Sequence, residues 1–82
     1  MKKKKYQLIL LDDDVNSFDD VMNGLCEVLG HNTYQAEQCA MIVHHKGECV
    51  ITHGTKDDIN FYKKVLTELG LKLKINKIEE KT

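Results

Sequence analysis

The sequence predicts an α+β fold: a small single-layer sheet of three antiparallel strands packed against three helices, in the order β-α-α-β-α-β. Three observations lead there. Apolar, β-favouring runs recur at residues 6–11, 48–53 and 71–75, short segments that read as strands. Three longer segments carry apolar residues at helical spacing, with a capping residue in front and a glycine behind. Finally, 82 residues with 41% hydrophobic content suffice for one modest core. Spacing alone does not disclose the order of the strands in the sheet.

The first run, YQLILL, reads as a buried strand. Ser17 then offers an N-cap with Asp20 three residues on, a capping-box start. From Phe18, the residues Phe18, Val21, Met22, Leu25, Val28 and Leu29 share one helical face, and Asp19, Asp20, Asn23 and Glu27 share the other. Gly30 ends this helix. Asn32 or Thr33 caps the next, which closes at Gly47 and keeps Ala36, Cys39, Ala40, Ile42 and Val43 on one arc. His44 lies at the edge of that arc, whereas a rotation of about 100° per residue turns His45 nearly the opposite way. After the strand ECVITH and the turn at Gly54, Thr55 and Asp58 form a second capping box. The helix that follows is expected to bury Ile59, Phe61, Tyr62, Val65, Leu66 and Leu69 before Gly70 stops it. LKLKI then alternates with period two, as a half-exposed strand does.

Composition narrows the function classes. A formal net charge of −1 gives no field that would draw nucleic acid or membrane. The lysines at residues 2–5 read as a flexible basic tail over residues 1–5, and residues 79–82 as a C-terminal tail. There is neither the apolar core of a signal peptide nor a run of roughly 20 apolar residues, so the expectation is a cytoplasmic protein. Cys26, Cys39 and Cys49 are odd in number, lack CxxC spacing and sit among apolar neighbours, as buried reduced thiols do.

The chemically informative stretch is LLDDDVNSFDD, with five acidic residues in the nine positions 12–20. Asp19 and Asp20 are accounted for by the helix start, where the dipole favours acids. Asp12, Asp13 and Asp14 are not. A calcium loop fails, because Ser17 stands where the sharp turn needs glycine and Asn23 where a bidentate glutamate is required. A phosphoacceptor pocket of receiver type needs five βα units and a second acid after a later strand, and neither is present. A metal site from His31, His44, His45, His53 and the cysteines lacks ligands paired on one face. No cofactor and no catalytic residue is therefore expected. What remains is binding of a small cation by carboxylates with a histidine. A free α-amine, with a pKa of about 7.7–8.0, is such a cation.

LILLDDDVNSF followed by AEQCAMIVHHKG resembles the ClpS adaptors, which deliver N-degron substrates to the Clp ATPase–protease. The shared pattern is an apolar strand, an acidic turn, a helix, and a second helix ending in Val-His-x-x-Gly, here VHHKG at residues 43–47. The resemblance covers residues 6–78, read as one adaptor domain. It implies that Asp12, Asp13 and His44 bind the substrate's α-amine, and that Asn16, Phe18, Val21, Ala40, Val43 and Leu71 wall a pocket for its first side chain. Asp12 stands where the family usually has Asn, which adds a charge and removes an amide donor. Phe18 and Ala40 stand where methionine is frequent. Asp57 and Tyr62 align with the surface that docks on the N-terminal domain of the Clp AAA+ ATPase. The implied partners are that domain and N-degron peptides, with no nucleic acid, no membrane and a monomeric state. The competing reading is a non-catalytic protein–protein interaction domain of the same fold without amine binding.

Overall fold

The central strand is dictated by a run that is apolar on both faces. In the computed structural model, which describes residues 3–13 and 15–80, Leu8, Ile9 and Leu10 are all buried. They lie in β1 (Lys3–Leu11), which pairs antiparallel with β2 (Glu48–Gly54) on one edge and β3 (Lys72–Glu80) on the other. The order is thus β2-β1-β3. Leu8 and Leu10 face the helices together with Leu73 and Ile75 opposite them on β3. Ile9 lies on the other face, flanked by Val50 and by Lys74, whose ammonium donates to Glu48 Oε1 at 3.1 Å. Between Leu8 and Ile9 the β1–β2 register shifts, so that Ile51 has no partner of its own and turns into the core.

The helices are α1 (Phe18–Leu29), α2 (Thr33–Lys46) and α3 (Lys56–Glu68). Two begin with reciprocal caps. Asp20 N donates to Ser17 Oγ and Ser17 N to Asp20 Oδ2, both at 3.1 Å; Asn32 and Gln35 make the same exchange. At α3 only half of the expected box exists, Asp58 N donating to Thr55 Oγ1 at 3.2 Å. Gly30 and Gly47 close α1 and α2 in the left-handed region, at φ 70° and 89°. The core joins Leu8, Leu10 and Ile51 of the sheet to Leu25, Ala36, Val43, Ile59 and Leu66 of the helices and to Leu71.

Several sequence expectations shift. β1 starts at Lys3 and β3 runs to Glu80, so residues 3–5 and 79–80 belong to the ladder and not to tails; Met1, Lys2, Asp14, Lys81 and Thr82 lie outside the described residues. The alternation of β3 breaks at Asn76–Lys77, which hid its extension. Phe61 and Leu69 are 61% and 51% exposed and Ile42 is 40% exposed, because each helix buries only a narrow stripe. The cysteines are free and half-buried. Burial, and after it the neighbouring Cys39 sulfur, pushes the Cys49 thiol up to about 11. Among the described residues, no helix is long and apolar enough to cross a membrane.

Leu8 is 0% exposed at the centre of this core. Leu8→Ala should lower unfolding free energy by about 2–5 kcal/mol, read from the urea midpoint at unchanged slope.

Candidate functional site

The site is made where the ladder ends. Leu11 is the last residue of β1 and pairs with Glu48 and Lys72. Beyond it, Asp12 N donates to the carbonyl of Gly47 at 2.9 Å, while Gly47 N closes α2 on Val43 O at 2.8 Å. The exit of β1 is thereby tied to the exit of α2. His44, one turn back from Gly47, is brought beside the acidic turn. Ser17 starts α1 on the far side of that turn, so Phe18 and Val21 face Ala40 and Val43 of α2 across a gap.

That gap is a half-open cavity of about 390 Å³, lined by Asp12, Asp13, Asn16, Ser17, Phe18, Val21, Ala40, Val43 and His44. Its volume lies at the low end for small-ligand sites. One rim is polar, with Asp12, Asp13 and His44; the wall is apolar, with Phe18, Val21, Ala40 and Val43. All three expected amine ligands and five of the six expected wall residues therefore meet. Leu71 does not. It is 4% exposed, and its Cδ1 would lie 3.1 Å from a Cβ placed on Gly24, so it fills the core behind α1. Ser17 was read only as a helix cap. Its place immediately before Phe18 was the available signal that it also borders the cavity.

The carboxylates differ in their surroundings. Asp13 Oδ1 accepts from Val15 N at 2.8 Å and from Asn16 N at 2.7 Å, and its Oδ2 accepts from Asn16 Nδ2 at 2.9 Å. The backbone N–H of Asn16 is the main cause that holds the Asp13 carboxyl below its ordinary value of 3.8; burial opposes it, and the Asn16 amide, Val15 N–H and Lys72 each add to the lowering. Asp12 is exposed, and its carboxylate has no hydrogen-bond or ion-pair partner among the described residues. Asp14 lies outside the described residues. His44 alone of the histidine pair lines the cavity, although its ring meets that of His45 edge to face at 5.5 Å and 71°. The two side chains are thus closer than helical rotation alone implied. His31 sits elsewhere, with Nε2 3.1 Å from Ile51 O and Nδ1 buried without a partner among the described residues. Among the described residues no cluster of three or more His, Cys, Asp or Glu could hold a metal ion. Asp57 and Tyr62 lie on α3, Asp57 in its exposed first turn and Tyr62 against the core and Phe61, and neither lines the cavity.

The family described as "ATP-dependent Clp protease adaptor protein ClpS" matches residues 1–74. Among solved structures, Agrobacterium tumefaciens ClpS2 bound to L-phenylalaninamide has a similar fold, with a TM-score of 0.74, 22% identity and coverage of 94% of this chain and 98% of that one. No curated protein gives a significant match.

A lowered carboxyl value means that the folded protein gives up this proton more readily than the unfolded chain. Asp13 therefore stabilises the fold above the unfolded value, and that contribution is lost as pH falls through the folded value. Asp13→Asn should be less stable than the parent near neutral pH. The gap should narrow as pH drops below roughly 4, as urea titrations across that range would show.

Proposed function

Because this chain belongs to the ClpS family of adaptors of the ATP-dependent Clp protease, we propose that it binds the free α-amine and large hydrophobic first side chain of N-degron substrates and delivers them to a Clp AAA+ ATPase. It does so as a monomer in the cytoplasm, without chemistry of its own. The observation that carries this reading is the meeting of Asp12, Asp13 and His44 on one rim of an apolar cavity. An ammonium has three donors, and two carboxylates with a neutral imidazole nitrogen provide an acceptor for each. Around the cation, charge-assisted bonds of this type are worth about 1.5–3 kcal/mol. The apolar wall beyond then receives the side chain. The structurally similar ClpS2 was solved with L-phenylalaninamide, a ligand with one free α-amine and one aromatic side chain, and the two parts of this cavity suit such a molecule.

Phe18 and Ala40 make one side of the wall bulkier and the other smaller than methionine would, which displaces the cavity without closing it. Leu, Phe, Tyr and Trp at the first position are expected to fit, and β-branched Val and Ile to fit worse. Delivery requires a second surface, and Asp57 with Tyr62 on α3, outside the cavity, is the proposed contact with the ATPase's N-terminal domain.

The test is titration with peptides differing only in their first residue, each with a free or an acetylated N-terminus. Acetylation should abolish binding of a Phe-initiated peptide. Asp12→Ala or His44→Ala should weaken it about tenfold or more, whereas Asp19→Ala and His45→Ala should leave it nearly unchanged. Ala40→Leu should weaken aromatic first residues most. If free and acetylated peptides bind alike, the chain is an interaction domain of this fold without amine recognition.

A further inference from the structure

We propose that Asn16 is the positioning residue of the amine site: its carboxamide bridges the Asp13 carboxylate to the Gly70 carbonyl and so selects the one lone pair that Asp13 offers to a ligand. This deepens the amine-binding reading above and rests on it. The carboxamide has two N–H donors, and both are committed: Nδ2 donates to Asp13 Oδ2 at 2.9 Å and to Gly70 O at 2.7 Å. Both partners are acceptors, which fixes which end of the amide faces them. Gly70 lies in the turn between α3 and β3, at φ 93°, and a Cβ there would come 3.7 Å from Asn16 Oδ1. The acidic turn is thus tethered to a segment 54 residues further along the chain.

The consequence for Asp13 follows from counting. A carboxylate offers about four acceptor positions. Two on Oδ1 are taken by the backbone N–H groups of Val15 and Asn16, and one on Oδ2 by the Asn16 amide. One position on Oδ2 is left for an incoming ammonium. The backbone donors would persist with other side chains at position 16, but the bridge would not. A serine or threonine hydroxyl has one hydrogen and cannot serve both acceptors, and aspartate has none and adds a like charge. The charged and titratable groups around Asp13 are Lys72 from β3, Asp12 from the same turn and His44 from α2. Asp13 is held ionised first by the Asn16 backbone, with the amide and Lys72 adding to it. Loss of the amide should raise its titration.

The experiment has two readouts. In ligand-free protein, the Asp13 carboxyl is titrated by NMR in the parent and in Asn16→Ala; the variant should titrate at higher pH. Affinity is then measured for a Phe-initiated peptide with a free N-terminus. Asn16→Ala should bind about tenfold more weakly, and most of that loss should disappear in an Asp13→Asn background, because the amide acts through Asp13. A role in folding alone would reduce binding by a similar factor with or without Asp13. Should Asn16→Ala fail to fold, Asn16→Ser keeps one donor and carries the same comparison. An unchanged Asp13 titration, or an equal loss in the Asp13→Asn background, would overturn the inference while leaving amine binding intact. Equal affinity of the parent for free and acetylated peptide would remove both.

Discussion

Everything at the site depends on the central strand having no free edge. β1 is hydrogen-bonded on both sides, and its two ladders end on the same residue, Leu11, opposite Glu48 and Lys72. A strand held this way has one fixed direction of exit. The Asp12 N to Gly47 O bond then fastens that exit to the last turn of α2. Two segments more than thirty residues apart become one rim, and the acids and His44 need no further scaffolding to meet.

The acidic turn itself separates into parts with different work. Asp20 is consumed by the Ser17 cap, and Asp13 organises the turn while lining the cavity. Asp12 is the cavity-lining carboxylate without a hydrogen-bond or ion-pair partner among the described residues. The excess of charge after β1 is thus only partly used by the fold. The unused part faces the cavity beneath which Ala40 and Val43 lie buried.

Much of this was legible in the chain, since it rests on local rules. Caps at Ser17, Asn32 and Thr55 and left-handed glycines at Gly30 and Gly47 fix where the helices begin and end. The Val-His-x-x-Gly spacing then sets His44 one turn before the end of α2. What could not be read is of two kinds. Burial of a helix face depends on how wide a stripe the sheet covers, so Phe61 and Leu69 were expected inside and are exposed. Contacts between distant segments leave no trace in spacing. Leu71 was expected at the pocket and packs against Gly24, and the bond from Asn16 to Gly70 has no local signature at all.

A three-stranded open sheet leaves two strands with unpaired backbone on one side, a template on which a second chain could grow. Here both margins are poor templates. β3 presents exposed Lys72, Lys74 and Lys77, and lysines along an edge strand disfavour the addition of another strand. β2 carries the irregularity opposite Leu8 and Ile9, and such a bulge twists a strand away from the flat geometry that stacking needs. Lysines on one margin and a bulge on the other thus act against edge-to-edge aggregation, a protection supplied by the backbone and the charges around it and not by a larger core.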